Sequence, residues 1–349
     1  MNLDTKFDFD KSITKKQIGS FVDMIQQKSA RIGFKVSSRG WGYILEQSGY
    51  INKDQFNKVE RIINKCRKDG LLPVDFVAEE ESRSFREIHN ATTKTPEDFI
   101  YLWLHTAYNC GERFEPDWWE GEEYYIQMVV EKVDLVTLFQ PICRNHHVPI
   151  ANSKGWSSIG QRADYARRFA EAQARGMKCV LLYCGDHDPD GLRIADTIRQ
   201  NLADIQHIRW SDGFKGYDPA DLIIDRFGLT YEFIIAHNLT WIDNLITGSG
   251  KDLAEVNNDG TPAHRNGKLP YVKRYLDTVG ERKCEANALV VTPDAGRRLC
   301  FEAINKYLGE SPQARFNAKK VAANDTILSI MNRLEIKEPI ERALKILSQ

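Results

Sequence analysis

Two apolar runs constrain this chain more than any other feature. Tyr124–Val130 reads YYIQMVV and Lys178–Cys184 reads KCVLLYC. Runs this short and unbroken suit strands buried on both faces, the usual condition of a parallel sheet. Between them the pattern predicts a helix over about 132–145, a short strand at Val148–Ala151 and a helix over 157–176. A helix at Gly191–Leu202 and a strand at Ile205–Trp210 follow. Repeated strand–helix–strand units of this length imply a parallel sheet with right-handed crossovers. Residues 217–309 read as mixed, with helices near 219–228, 230–237, 269–279 and 294–308, and the last 40 residues as polar helix.

The N-terminal part has a different texture. Ile13 to Arg31 carries apolar residues at a period near 3.6. Ser37 or Ser38 is placed to cap a second helix running to Gln47, with Gly49 as its stop. Asn52 or Asp54 would cap a third, to Lys68, with Phe56, Val59, Ile62, Ile63 and Cys66 on its apolar face. A strand-like run, 71–77, comes next. Three helices and then a strand pair is the pattern of a winged helix. A connecting helical segment, FIYLWLHTAYNC, leads into the acidic and aromatic stretch Trp118–Glu123, where a domain boundary is expected. The fold class expected is α/β: a helical winged-helix domain over 1–120, a parallel-sheet α/β domain over 121–309, and a helical C-terminal extension over 310–349 suited to dimerisation.

Composition excludes some classes and misleads about others. The 349 residues suggest about two domains, and 42% hydrophobic content is ample for a folded core. No run approaches the roughly 18 apolar residues of a membrane span. The N-terminal MNLDTKFDFDKS is too polar and acidic for a signal peptide, and the seven cysteines include no C-x-x-C pair. A reduced, cytoplasmic chain without structural zinc is expected. The net charge of −1 argues against a simple polycation, but it hides a division. Residues 11–68 hold 13 Lys/Arg against 4 Asp/Glu; residues 69–123 hold 4 against 14. Lys58, Arg61, Lys65 and Lys68 recur opposite the apolar face of the third helix, with Arg67 nearby, as on a helix that meets DNA. Lys35 and Arg39 extend the set.

Acidic residues stand where a parallel sheet puts its active site, outside the carboxyl ends of its strands. Glu131 ends the first apolar run, and Asp186-His187-Asp188-Pro189-Asp190-Gly191 follows the second. If the strands are neighbours, Glu131, Asp186 and Asp188 converge, joined by Asp190. A hard divalent cation resolves their repulsion, and Mg²⁺ suits an oxygen-rich site with few protein ligands. The plainer reading is a solvated turn in which Asp190 caps the next helix.

Glu131 with Asp186-x-Asp188 resembles the Toprim domain of topoisomerases, primases and some nucleases. VVEKVDLV, HVPIANSKGWSSI and LLYCGDHDPDGLRI together resemble the topoisomerase VI A subunit and its meiotic double-strand-break relatives, most of all the stand-alone Mini-A proteins. IIDRFGLTYEFIIAHNL and ERKCEANAL, with Glu285, also match that style. The family carries its nucleophile in a winged helix within Arg-x-x-Tyr-Tyr. Here Arg39 matches the arginine and Tyr43 the second, reactive tyrosine, while Gly42 replaces the first. Arg39 and Tyr43, four apart, share a helix face.

The resemblance implies a DNA-cleaving topoisomerase. Tyr43, Arg39 and Glu131 would be catalytic, with Glu131, Asp186, Asp188 and Asp190 holding one or two Mg²⁺ ions (or Mn²⁺). The products would be a 5′-phosphotyrosyl end and a free 3′-hydroxyl. It also implies a homodimer on double-stranded DNA, in which one subunit's tyrosine works with the other's metal, and a separate ATPase subunit for strand passage. No membrane partner is expected, and a prokaryotic or viral form would be nucleoid-associated. Two rivals stand: a Toprim nuclease using metal-activated water, and a scaffold that binds DNA without cutting. Glu285 either approaches the metal or braces the sheet. Ser157, in the Ser153–Ser158 loop, either binds phosphate at a helix N-terminus or belongs to an ordinary capped turn. His146, His147 and His187 read as polar loop residues, because no second ligand stands at zinc spacing.

Overall fold

A computed structural model describes residues 15–73, 75–78, 95–153, 159–208, 210, 212–214, 216–246 and 252–348. The chain divides into two compact units, Met1–Glu79 with Glu122–Tyr307 and Glu80–Gly121 with Leu308–Gln349. The three-part division read from the sequence differs from this. The N-terminal helices belong with the sheet, and residues 80–121 belong with the C-terminal end.

In the first unit, α1 (Lys15–Ile32) buries Phe21, Val22, Met24 and Ile25. Helix α2 (Ser38–Gln47) starts at Ser37, whose hydroxyl accepts from the Gly40 N–H at 3.0 Å. Helix α3 (Phe56–Lys68) buries Phe56, Val59, Ile63 and Cys66. The two glycines of α2 lie at close approaches. A Cβ on Gly40 would sit 2.2 Å from Asp134 Oδ2, and one on Gly42 would sit 2.8 Å from the Phe56 ring. The tyrosine expected by analogy at position 42 therefore has no room. The run 71–77 is not a strand among its described residues. Leu71 and Leu72 donate back to Cys66 O and close the end of α3, and Pro73 has no N–H for a ladder. One parallel bridge, Ser37 to Ala78, returns the chain to α2.

Among its described residues the second unit holds α4 (Pro96–Tyr108), started by a Thr95/Asp98 capping box, and α5 (Cys110–Arg113). Their partners come from the end of the chain.

The sheet belongs to the first unit. It is formed by β1 (Tyr124–Val130), then, after α6 (Val133–Asn145), β2 (Ile150–Asn152), and, after α7 (Ile159–Ala174), β3 (Lys178–Cys184). Helix α8 (Ile194–Ala203) leads on to β4 (Ile223–Gly228). All pairs are parallel, in the order β2-β1-β3-β4. β1 and β3 pair from Tyr124↔Lys178 to Val130↔Cys184, so their carboxyl ends coincide. The apolar runs are explained by burial: six of seven residues in each strand are buried. Gln127 is tolerated inside because its amide donates to Tyr165 O and accepts from Arg168.

Two expectations fail here. The strand expected at Ile205–Trp210 does not form among its described residues; a tight turn follows, in which Trp210 N–H donates to Phe214 O and Gly213 takes φ 86°. The fourth strand lies instead within 219–228, expected as helix. Pairing with the open edge of β3 overrides the helix-like spacing of Ile223, Ile224 and Phe227. After β4 come α9 (Tyr231–Ala236), α10 (Pro270–Thr278), α11 (Ala288–Val291) and α12 (Pro293–Leu308). Helix α2 packs on α11, and α11 on α6, which ties the N-terminal helices to the sheet.

The second unit is completed by α13 (Pro312–Arg333) and α14 (Lys337–Leu347), which pack on α5 and α4 respectively. Trp118 packs on Phe316, and Lys320 pairs with Glu115 at 2.8 Å.

Candidate active site at the ends of β1 and β3

The parallel register places Glu131 and Asp186 side by side. Glu131 N–H donates to Cys184 O at 2.9 Å, one step beyond the last strand pair. Asp186 N–H donates to Glu131 Oε2 at 2.8 Å. Gly185 makes this possible, since a Cβ there would lie 2.7 Å from Glu131 Oε2.

The turn after β3 is fastened on two sides. His187 and Cys284 exchange backbone hydrogen bonds, at 2.8 and 3.1 Å, in an antiparallel bridge. That bridge brings Ala286 N–H to Asp186 Oδ1 at 2.8 Å and carries Glu285 into the site. From β4, Arg226 donates to Asp186 O and Gly191 O. The start of the turn is thus fixed by the Cys284 bridge and Arg226, with Asp186 buried, while Asp190 at its end stays exposed. Asp188, not Asp190, bonds the start of the following helical turn, accepting from Gly191 N–H at 2.6 Å. Asp190 instead accepts from the Tyr271 hydroxyl at 2.8 Å.

A cavity of about 340 Å³ collects these groups. Glu131, Asp186, Asp188, Asp190 and Glu285 line it with Arg39 and Tyr43 of α2 and with three lysines, Lys53, Lys132 and Lys283. The sequence-derived catalytic and acidic residues therefore meet within one chain. The lysines had no motif to announce them. Lys132 lies 3.0 Å from Glu131 Oε1 and 2.7 Å from Asp186 Oδ2. Lys53 lies 3.0 Å from Glu285 Oε1 and 5.9 Å from the Tyr43 ring centroid. Lys283 lies 3.6 Å from Glu285. Arg39 reaches Asn57 at 3.3 Å and Glu60 at 3.4 Å, with its guanidinium against the Phe56 ring.

Burial and charge compete at each acid. Burial pushes the Asp186 carboxyl well above the usual range; Lys132 opposes this, while Glu131 and Glu285 add to it. Burial also raises Asp188. At Glu131 burial is outweighed by Lys132 and the Asp186 N–H, so its pKa is lowered. At Glu285 burial is likewise outweighed, by Lys132, Lys53 and Lys283.

Among the described residues, no group of three or more His, Cys, Asp or Glu side chains stands ready to hold a metal ion. The donor chemistry nevertheless suits a hard cation. An ammonium already lies between Glu131 and Asp186. Glu285, 2% exposed, has a buried Oε2 without a hydrogen-bond partner. Oxygen-only donors of this kind match Mg²⁺.

The other predicted residues lie elsewhere. On α3, Arg61, Lys65 and Lys68 are exposed and Lys58 and Arg67 partly so. Lys35 pairs with Asp75 at 2.7 Å. Ser157 lies outside the described residues. His146 and His187 lie outside the helices and strands, as expected, but both are buried, His146 bonded to Ile142 O and His187 to Leu229 O among Tyr231, Trp241 and Tyr275. All seven cysteines are free, and no helix among the described residues is long and apolar enough to cross a membrane. Compared with family models, curated proteins and solved structures, the chain matches none.

Proposed function

We propose that this chain is a DNA-binding, Mg²⁺-dependent protein similar to the topoisomerase VI A subunit, pairing a winged helix with a Toprim-type sheet, and that it breaks DNA by tyrosine attack. One observation carries the reading: Tyr43 and Arg39 share a cavity with Glu131, Asp186, Asp188 and Glu285.

In the proposed step the Tyr43 hydroxyl oxygen attacks a backbone phosphorus. The tyrosine–phosphorus bond forms as the bond to the 3′ oxygen breaks. The phenol loses its proton and the departing 3′ oxygen gains one, leaving a 5′-phosphotyrosyl end and a 3′-hydroxyl. Arg39, with a half-exposed side chain, is suited to grip the phosphate. The Lys53 ammonium, near the Tyr43 ring, offsets negative charge growing on the phenol. Glu131, Asp186 and Asp188 would hold Mg²⁺, one ion or two, or Mn²⁺ in its place, which would supply positive charge to the phosphate oxygens.

The DNA partner would lie along the basic face of α3, mostly through phosphate contacts. Breaking both strands requires two tyrosines, which supports a two-fold pair of chains. A separate ATPase subunit would drive strand passage, and the setting would be the cytoplasm or nucleoid.

The test is to incubate the protein with end-labelled duplex DNA and Mg²⁺, denature, and look for protein-linked 5′ ends. Wild type forms them and Tyr43→Phe does not. Cutting that survives Tyr43→Phe without an adduct points to a metal-dependent hydrolase. DNA binding without any cutting points to a scaffold.

A further inference from the structure

Glu131 and Asp186 are each held by one oxygen and offer the other. Glu131 Oε2 accepts from Asp186 N–H and Asp186 Oδ1 accepts from Ala286 N–H, both at 2.8 Å. The remaining oxygens, Glu131 Oε1 and Asp186 Oδ2, both point to the Lys132 ammonium, at 3.0 and 2.7 Å. Backbone therefore fixes the carboxylates, and their free oxygens define one seat for a cation. Lys132 fills it from the position just before α6, where an extended backbone (φ −110°, ψ 142°) leads out of the turn after β1.

We infer that Lys132 is a resident counter-ion: it holds Glu131 and Asp186 together in the metal-free protein and is displaced when a divalent cation takes the seat. The inference rests on the metal-site reading above and adds a competitor to it. Without a cation, two carboxylates fixed this closely in a buried turn would repel one another. An ammonium on a flexible four-carbon stem can satisfy them and still leave, which a backbone donor or a packed arginine cannot do as readily. Once displaced, Lys132 stays within electrostatic reach of Glu285, which already favours its charged form. The cavity thereby exchanges one cation for another without ever leaving its acids bare.

Two measurements test this without reference to DNA cleavage. In calorimetric titration with MgCl₂, Lys132→Met, which removes the competitor, binds the ion at least tenfold more tightly than wild type. In wild type, reductive methylation of Lys132 at fixed pH, read by mass spectrometry, is slow without Mg²⁺ and several-fold faster with it. The acceleration is absent in Asp186→Asn. The labelling arm stands whether or not the Met variant folds. Equal or weaker Mg²⁺ binding by Lys132→Met, or labelling indifferent to Mg²⁺ in a wild type that binds the ion, overturns the inference and leaves the metal site standing. Failure of wild type and variant alike to bind Mg²⁺ overturns both.

Discussion

The Lys53 ammonium lies 3.0 Å from Glu285 Oε1 across 232 residues of sequence. This contact joins the short helical turn Lys53–Gln55, which links α2 with its Tyr43 to α3, to the bridge that fastens Asp186. Glu285 is almost fully buried, whereas half of the Lys53 side chain is exposed. Solvent screening therefore limits what the pair contributes to about 1 kcal/mol. Lys53→Met should lower the free energy of unfolding by that amount, read as a lower urea midpoint at unchanged slope. A double-mutant cycle with Glu285→Gln should recover a coupling of similar size, and additive effects would show that the contact is incidental.

Close approach, not helix propensity, governs the glycines of α2. Gly42→Ala should destabilise the protein by about 1–3 kcal/mol, because the new methyl group meets the Phe56 ring. Gly19→Ala in α1 has nothing within 4 Å and should gain up to about 1 kcal/mol from propensity. Thermal melts of the two variants, moving in opposite directions, check this.

Glu46 supplies a pH dependence. Burial, reinforced by Glu285, pushes its carboxyl up to about 6 from an ordinary 4.5. The folded protein thus binds this proton more tightly than the unfolded chain does. Stability from this group is greatest below about pH 4.5 and falls as pH rises to about 6. Glu46→Gln should flatten that part of the profile and raise stability at pH 7.5 by roughly 1 kcal/mol, discounted for partial exposure.

Salt dependence tests the proposed DNA surface on α3. Replacing Lys58, Arg61, Lys65 and Lys68 with Gln should reduce the slope of log affinity against log salt by about 0.9 for each phosphate that is no longer neutralised. Lys35→Gln should change it less, because Lys35 already has Asp75 as a partner. Fluorescence anisotropy on one duplex at several salt concentrations measures both.

Legibility followed burial. β1 and β3 were readable because strands covered on both faces leave continuous apolar runs, and Glu131 and Asp186 followed from where those runs end. β4 was not readable. Its IIDRFG keeps a helix-like spacing, and only the open edge of β3 makes it a strand; with it went Arg226, which braces the Asp186 turn. Lys132, Lys53 and Lys283 were missed for a related reason. A lysine in sequence looks solvated, and these find their acids across tens or hundreds of residues or by the turn of one backbone angle. In sequence Glu285 suits two roles, and its buried, unpartnered oxygen favours the one at the cavity.

The central claim is that Tyr43 works with the acids of its own chain, whereas the family resemblance implies donation between subunits. Mixing Tyr43→Phe protein with Asp186→Ala protein tests it most directly, scored by protein-linked 5′ DNA ends in Mg²⁺ beside wild type. Within one chain, every site of a mixed pair lacks either its nucleophile or its carboxylate. Adduct should form with wild type alone and not with the mixture. Restoration of adduct on mixing would contradict the account, because it requires Tyr43 of one chain to act at Asp186 of another.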